Sequence, residues 1–248
     1  MLMPDHHGPL SRWSFRLAIT GAVAVMAAPL AYRVGIPLAP ALLAMPVGVL
    51  IALVALLLSL MTLVRGRRAL GDHRYTVAAA AISSVVGLWP LLFVLSSLGL
   101  PAIHDITTDI VDPPLFAAVV PLRADAPNSL DYEGVTVGDA QREAYPDLES
   151  LMVSLPLARV VDQVGAVVED IGWELVAVDL HAGVIEATDT TMLFGFKDDI
   201  VVRVRPAGDG ALVDVRSVSR VGVGDLGTNA ARVRAFLKRL ALRAAAGE

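Results

Sequence analysis

The 248-residue chain contains no cysteine, so disulfides, thiolate chemistry and cysteine-ligated zinc are all excluded. Its C-terminal part also lacks net positive charge. Residues 1–100 hold seven Lys or Arg against two Asp or Glu, giving +5. Residues 101–248 hold thirteen against twenty-three, giving −10, and the two add to the overall −5. Phosphate contacts need a basic surface, so nucleic acid is not an expected partner. Histidine is scarce as well. His181 is the one histidine in the C-terminal domain, which leaves no His-based triad, and His104 lies in the preceding segment with no second histidine nearby. Finally, the long apolar runs carry no Asp, Glu, Lys or His. Proton relays and ion paths usually depend on such groups, so a transporter or pump is not expected.

What the chain has in excess is apolar character, 55% of its residues with a mean hydropathy of +0.64, concentrated before residue 100. Residues 17–32, 36–64 and 76–100 are uncharged, and about 20 such residues cross a hydrocarbon core. Backbone in lipid must satisfy its own hydrogen bonds, so these runs predict membrane helices at about 13–32, 37–64 and 76–100, with the lipid bilayer as partner. Prolines at 37, 40 and 46 predict a bent or late-starting second helix, and Trp89-Pro90 a kink in the third. Arg12 and Arg16 precede the first span, and Arg65, Arg67, Arg68 and Arg74 join the second to the third. That pattern puts the amino terminus in the cytoplasm and everything after residue 100 on the far side of the membrane. The first span could instead be a cleaved signal peptide, with small residues at 27, 28 and 31, and the side of the last domain would not change. Gly48, Ala52 and Ala55 allow a further reading, in which the spans assemble with other copies.

Residues 101–140 are rich in Pro, Asp and Thr without sustained periodicity and read as an extended linker, either wrapped on the domain or free of it. His104, Asp105, Asp109 and Asp112 within it suit Asx turns better than a metal site, and no metal or cofactor is expected. Residues 141–248 read as an α+β domain. Valines at 160, 161, 164, 167 and 168 with Ile171 form a helical stripe, and residues 173–180 and 184–191 a hairpin. Extended segments follow at 194–196, 200–205 and 212–218, then a helix over 228–243. In these strands Ile185, Ala187, Val202, Val204, Val213 and Val215 alternate with Glu186, Arg203, Asp214 and Arg216. Side chains alternate across a sheet, which predicts a two-layer sandwich, mostly antiparallel, with two amphipathic helices on the apolar face and an open charged face opposite.

Residues 222–227 spell GVGDLG between a strand and a helix. A dinucleotide site would need a following strand with an acidic residue about 20 positions on, and Asp225 would repel a pyrophosphate. Asp225 and Thr228 instead read as competing helix N-caps. Arg203, Arg216 and Arg220 near that helix start could hold a carboxylate or phosphate, with Asn229 and Arg232 in its first turn. Alternatively, Asp198, Asp199, Asp214 and Asp225 pair with the arginines and lock loop to sheet. Ser217 and Ser219 do not read as nucleophiles.

IHDITTDIVDPPLF at 103–116, GW at 172–173, IEATDTTMLFGFKDDIVVRVR at 185–205 and RSVSRVGVGDLGTNAAR at 216–232 together resemble the bacterial and plastid family called domain of unknown function 1499. The resemblance implies no activity. It marks Glu186, Asp198, Asp199, Arg203, Asp214, Arg216, Ser217, Ser219, Arg220, Asp225, Asn229 and Arg232 as candidate binding residues. The function expected is a non-enzymatic envelope module that binds an anionic small molecule or an envelope protein. The rival is an envelope enzyme, hydrolase-like, using Asp198, Asp199 or Asp214 beside the arginines.

Overall fold

The computed structural model describes residues 8–65 and 73–247. Arg67 and Arg68, which carry part of the orientation argument, lie outside the described residues. The chain divides into two units, Met1–Leu98 with Leu193–Gly195, and Gly99–Met192 with Phe196–Glu248.

The first unit is helical. Three stretches, Leu10–Arg33, Leu38–Val64 and His73–Ser96, are long and apolar enough to cross a membrane. The first is a single helix, α1 (Gly8–Arg33). The second is broken at Leu43 into α2 (Leu38–Leu42) and α3 (Ala44–Arg65), the late start that its prolines predict. The third consists of α4 (His73–Ser83), a π-helical turn over Ser84–Leu88 and α5 (Trp89–Ser96). Pro90 supplies no N–H and its ring would clash with the carbonyl four residues back, at Val86, so the extra residue is absorbed there. Where α1 meets α3, a Cβ added to Gly21 or Gly48 would stand 2.8 Å from the other's carbonyl oxygen. Ala18, Ala52 and Ala55 are fully buried. The small residues that suggested assembly between copies are therefore spent on packing within the chain.

The second unit is an α+β sandwich on an antiparallel sheet. Its strands are β1 (Asp105–Thr107), β2 (Leu151–Val153), β3 (Glu174–Asp179), β4 (Val184–Thr190), β5 (Lys197–Ala207) and β6 (Gly210–Ser219). The order is β1-β6-β5-β4-β3, with β2 also on β6. Both short strands share one edge of β6: Leu151 faces Val213 near its start and Asp105 faces Val218 near its end. Helices α7 (Leu157–Asp170) and α8 (Thr228–Ala246) cover the apolar face. There Ile185, Ile200, Val202, Val213 and Val215 pack with Val160, Val164, Phe236 and Leu240, all essentially without solvent contact. Fully burying one such side chain is worth about 1.5–3 kcal/mol. Trp173 stacks on Phe236 at 5.4 Å between centroids.

The face expected to be open is covered. Residues 101–140 do not run as a free linker: they contribute β1, a 3-10 turn over Val120–Arg123 and α6 (Val135–Ala144). Asp199, Asp214 and Arg216 on that face have no exposure, and Glu186 only 3%. The reason is chemical. A sheet face with Asp, Glu and Arg at alternate positions offers fixed partners for a chain segment rich in Asp and free backbone groups and carrying Arg123, and that segment is the preceding connector.

Candidate functional site

Strand parity separates the twelve candidate residues into two groups. Glu186, Asp199, Arg203, Asp214, Arg216 and Arg220 point to the face covered by the connector, whereas Asp198, Ser217 and Ser219 point to the helix side with Asp225, Asn229 and Arg232.

On the connector side each of the six candidate residues has polar partners. Arg216 donates from Nε and Nη2 to the two oxygens of Asp105 at 3.0 and 2.7 Å. It also reaches the Pro114 and Leu130 carbonyls at 3.2 and 2.7 Å. Its guanidinium lies between the rings of Phe116 and Tyr132, 5.3 and 5.4 Å from their centroids. Burial pushes the Asp105 carboxyl above the ordinary carboxylate range, and Arg216 pulls it part of the way back. The same burial lifts the Tyr132 phenol to about 12. Asp199 accepts from Thr188, Arg123 and both ends of the Arg220 fork, at 2.8 to 3.1 Å. Asp214 faces Arg203 directly across β5 and β6; it accepts from Ser150, Arg203 and Arg205 at 2.5 to 3.1 Å. Arg203 also holds Asp109 and Asp112 of the connector. Glu186 accepts the backbone N–H groups of Ala117, Ala118 and Val119 at 2.8 to 2.9 Å, leading into the 3-10 turn.

The helix side has its own network. Asp189 and Asp198 stand opposite one another in β4 and β5, a like-charge pair that would repel. Arg232 bridges them, with Nε 2.9 Å from Asp189 and Nη2 2.5 Å from Asp198. Its remaining Nη1 meets Ser217 and Asn229. The Ser217 hydroxyl donates to Asn229 at 2.7 Å, and Asn229 donates to Ser219 and to the His104 carbonyl. Both serines are therefore spent on structure. Asp225 caps α8, accepting from Gly227 at 2.8 Å and Asn229 at 2.6 Å, whereas Thr228 is already the first helical residue. Burial raises the Asp225 carboxyl, and the two backbone bonds oppose that rise.

The anion cradle expected from Arg203, Arg216, Arg220 and the α8 start is not assembled. Arg216 of β6 and Arg220 just beyond it face away from α8, and Asp225 takes the amides at the helix start. Neither Asp198, Asp199 nor Asp214 lines the two clefts described next, and each is held by guanidinium. Among the described residues no group of three or more His, Asp or Glu is arranged to hold a metal. Asp109 forms the expected Asx turn, accepting from Val111 and Asp112, while also pairing with Arg203 and Arg205. The partners outside the candidate set are Arg123, Thr188, Asp189 and Arg205; strand alternation puts Thr188 and Arg205 on the charged face, while Arg123 and Asp189 were missed. For Asp189 the signal was present: it is odd-numbered in β4, like Ile185 and Ala187.

One surface opening beside these networks is a cleft of about 300 Å³ against α8. Its floor is Ile171, Trp173 and Phe236, and its rim includes Asp189, Arg232 and Arg239. A second hollow of about 340 Å³ between α7 and α8 shares Arg239. Arg239 is exposed and, among the described residues, has no ion pair or hydrogen bond.

The architecture defines a protein with three apolar helices of spanning length, followed by an α+β domain whose polar sheet face is closed by its own N-terminal segment. The family model described as "Protein of unknown function (DUF1499)" matches residues 105–240, from β1 into α8 and more than half of the 248 residues, and the chain belongs to that family. Comparison with curated proteins gives no match.

Proposed function

We propose that the protein is a membrane-anchored binding module, not an enzyme, set in the bacterial inner membrane with its α+β domain on the extracytoplasmic side. The arginines at the cytoplasmic ends of the spans support that orientation. The ligand is a small anion with an apolar body, and it binds in the cleft beside Trp173. One observation carries this reading: among the described residues the exposed Arg239 guanidinium has no ion pair or hydrogen bond, and it lines the same opening as Ile171, Trp173 and Phe236. A pocket of hydrophobic surface with a few convergent polar groups is the general form of a small-molecule site. Of the twelve candidate residues, Arg232 reaches this cleft, and the others hold the domain around it.

The test is thermal unfolding of the full chain in detergent with a panel of aliphatic and aromatic monocarboxylates. A binder at 100 times its Kd adds about 2.7 kcal/mol to stability. Arg239→Ala, an exposed change, is expected to melt like the wild type without ligand and to lose the ligand-dependent rise. If no carboxylate moves the wild type, the small-molecule reading fails, and a protein partner presenting a carboxylate becomes the occupant to seek.

A further inference from the structure

The glycine-rich loop absorbed no function above beyond its capping aspartate, yet it lies at a distinctive place. It is folded onto the residues that leave the third span. Asp225 N–H donates to the Ile103 carbonyl at 3.1 Å, and Ser219 N–H to that of His104 at 3.0 Å. A Cβ on Gly224 would stand 3.1 Å from the Cα of Ala102, and one on Gly227 3.1 Å from Leu100 Cδ1. Helix α5 ends at Ser96, so Leu100 lies within about 14 Å of the helix end even along a fully extended chain.

Other loops collect at this end of the sheet. Asn128 donates to the Ser219 and Gly222 carbonyls, and Arg220 to the Leu122 carbonyl, bringing in the 3-10 turn. Arg220 N–H donates to the Lys197 carbonyl, where the β4–β5 connection returns. These loops display large apolar side chains: Val120 is 50% exposed, Leu122 57%, Met192 93%, Val223 80% and Leu226 49%. Leu226 does so in the left-handed region, at φ 54°, a conformation costly for a branched apolar residue.

We propose that this loop cluster is a lipid-contact surface, with Val223, Leu226, Leu122 and Met192 seated in the interfacial layer of the bilayer. The occupant is the membrane and not a second protein, because the short tether holds Leu100, on which the glycine-rich loop is packed, within about 14 Å of the end of α5. Exposed apolar side chains held there meet lipid first. The proposal rests on the apolar helices spanning a membrane and is independent of the cleft at Arg239.

The absence of native cysteine makes the test direct. Single cysteines are introduced as Val223→Cys and Leu122→Cys, with Leu180→Cys as control; Leu180, 67% exposed, opens the turn between β3 and β4 at the opposite end of the sheet. Each full-length variant carries an environment-sensitive fluorophore and is reconstituted in phosphatidylcholine–phosphatidylglycerol vesicles. The expected result is a blue-shifted emission at positions 223 and 122, quenched several-fold more by spin-labelled lipid than at 180. Equal, water-like emission and equal quenching at all three positions would overturn the proposal. So would a blue shift at 223 insensitive to spin-labelled lipid, since that outcome assigns the surface to a protein.

Discussion

Arg216 has no solvent exposure, yet it is a charged side chain at the centre of a sheet. Its stability is conditional: a buried pair is often no better than well-packed apolar residues, but breaking one by removing a single partner costs about 3–5 kcal/mol. Arg216→Met is therefore expected to lower unfolding stability by about that amount, because Asp105 is left buried without a counter-charge. Asp105→Asn together with Arg216→Met should recover part of the loss. Denaturant unfolding of the wild type, Arg216→Met, Asp105→Asn and the double variant checks this, and a double variant as unstable as the sum of both singles would count against the pairing. Asp225 offers a second prediction through pH. Its folded-state pKa is raised by burial, so the folded state holds the proton more tightly than the unfolded one. Stability from this group is full below the unfolded value, near 3.9, and is lost as pH rises through the folded one. Asp225→Asn removes the titration while keeping a capping oxygen. Melting from about pH 4 to 7 should shift the difference progressively in favour of the variant.

At the scale of elements, the connector is the decisive case. Strand alternation over residues 184–218 made the two sheet faces legible, because five or more residues at period two are enough to tell in from out. It could not reveal β1 or β2, three residues each, which are strands only through pairing with β6. Nor could it reveal α6, whose valines, threonine and glycine are weak helix formers. Its Gln141 explains why it sits where it does: the side-chain amide pairs with both backbone groups of Thr107, completing the free edge of β1. The pairing of Asp199 and Asp214 with nearby arginines was likewise legible, but the connector's partners were not, since Asp105 meets Arg216 and Glu186 meets Ala117 only after the chain doubles back. The consequence is testable. A chain beginning at residue 141, where sequence places the domain, is expected to lack a cooperative melt; one beginning at residue 101 should fold. Circular dichroism on heating separates the two, and equal melting of both would refute the role given to the connector.

At the scale of the whole molecule, charge divides sharply between +5 before residue 100 and −10 after it. If the spans are oriented by their flanking arginines, a reporter active only outside the cytoplasm will be active when fused after residue 247 and inactive when fused between the second and third spans. The reverse pattern would invert the topology.

The pairing of β1 with β6 also sets an order in time. Asp105 and Arg216 are 111 residues apart, so the first strand made waits for nearly the last. At ordinary synthesis rates that delay is on the order of ten seconds. Until then the edge of the sheet is open, the Asp105 carboxylate is hydrated and the domain is unable to close. A chain built this way remains threadable through a narrow channel until its last strand has been synthesised.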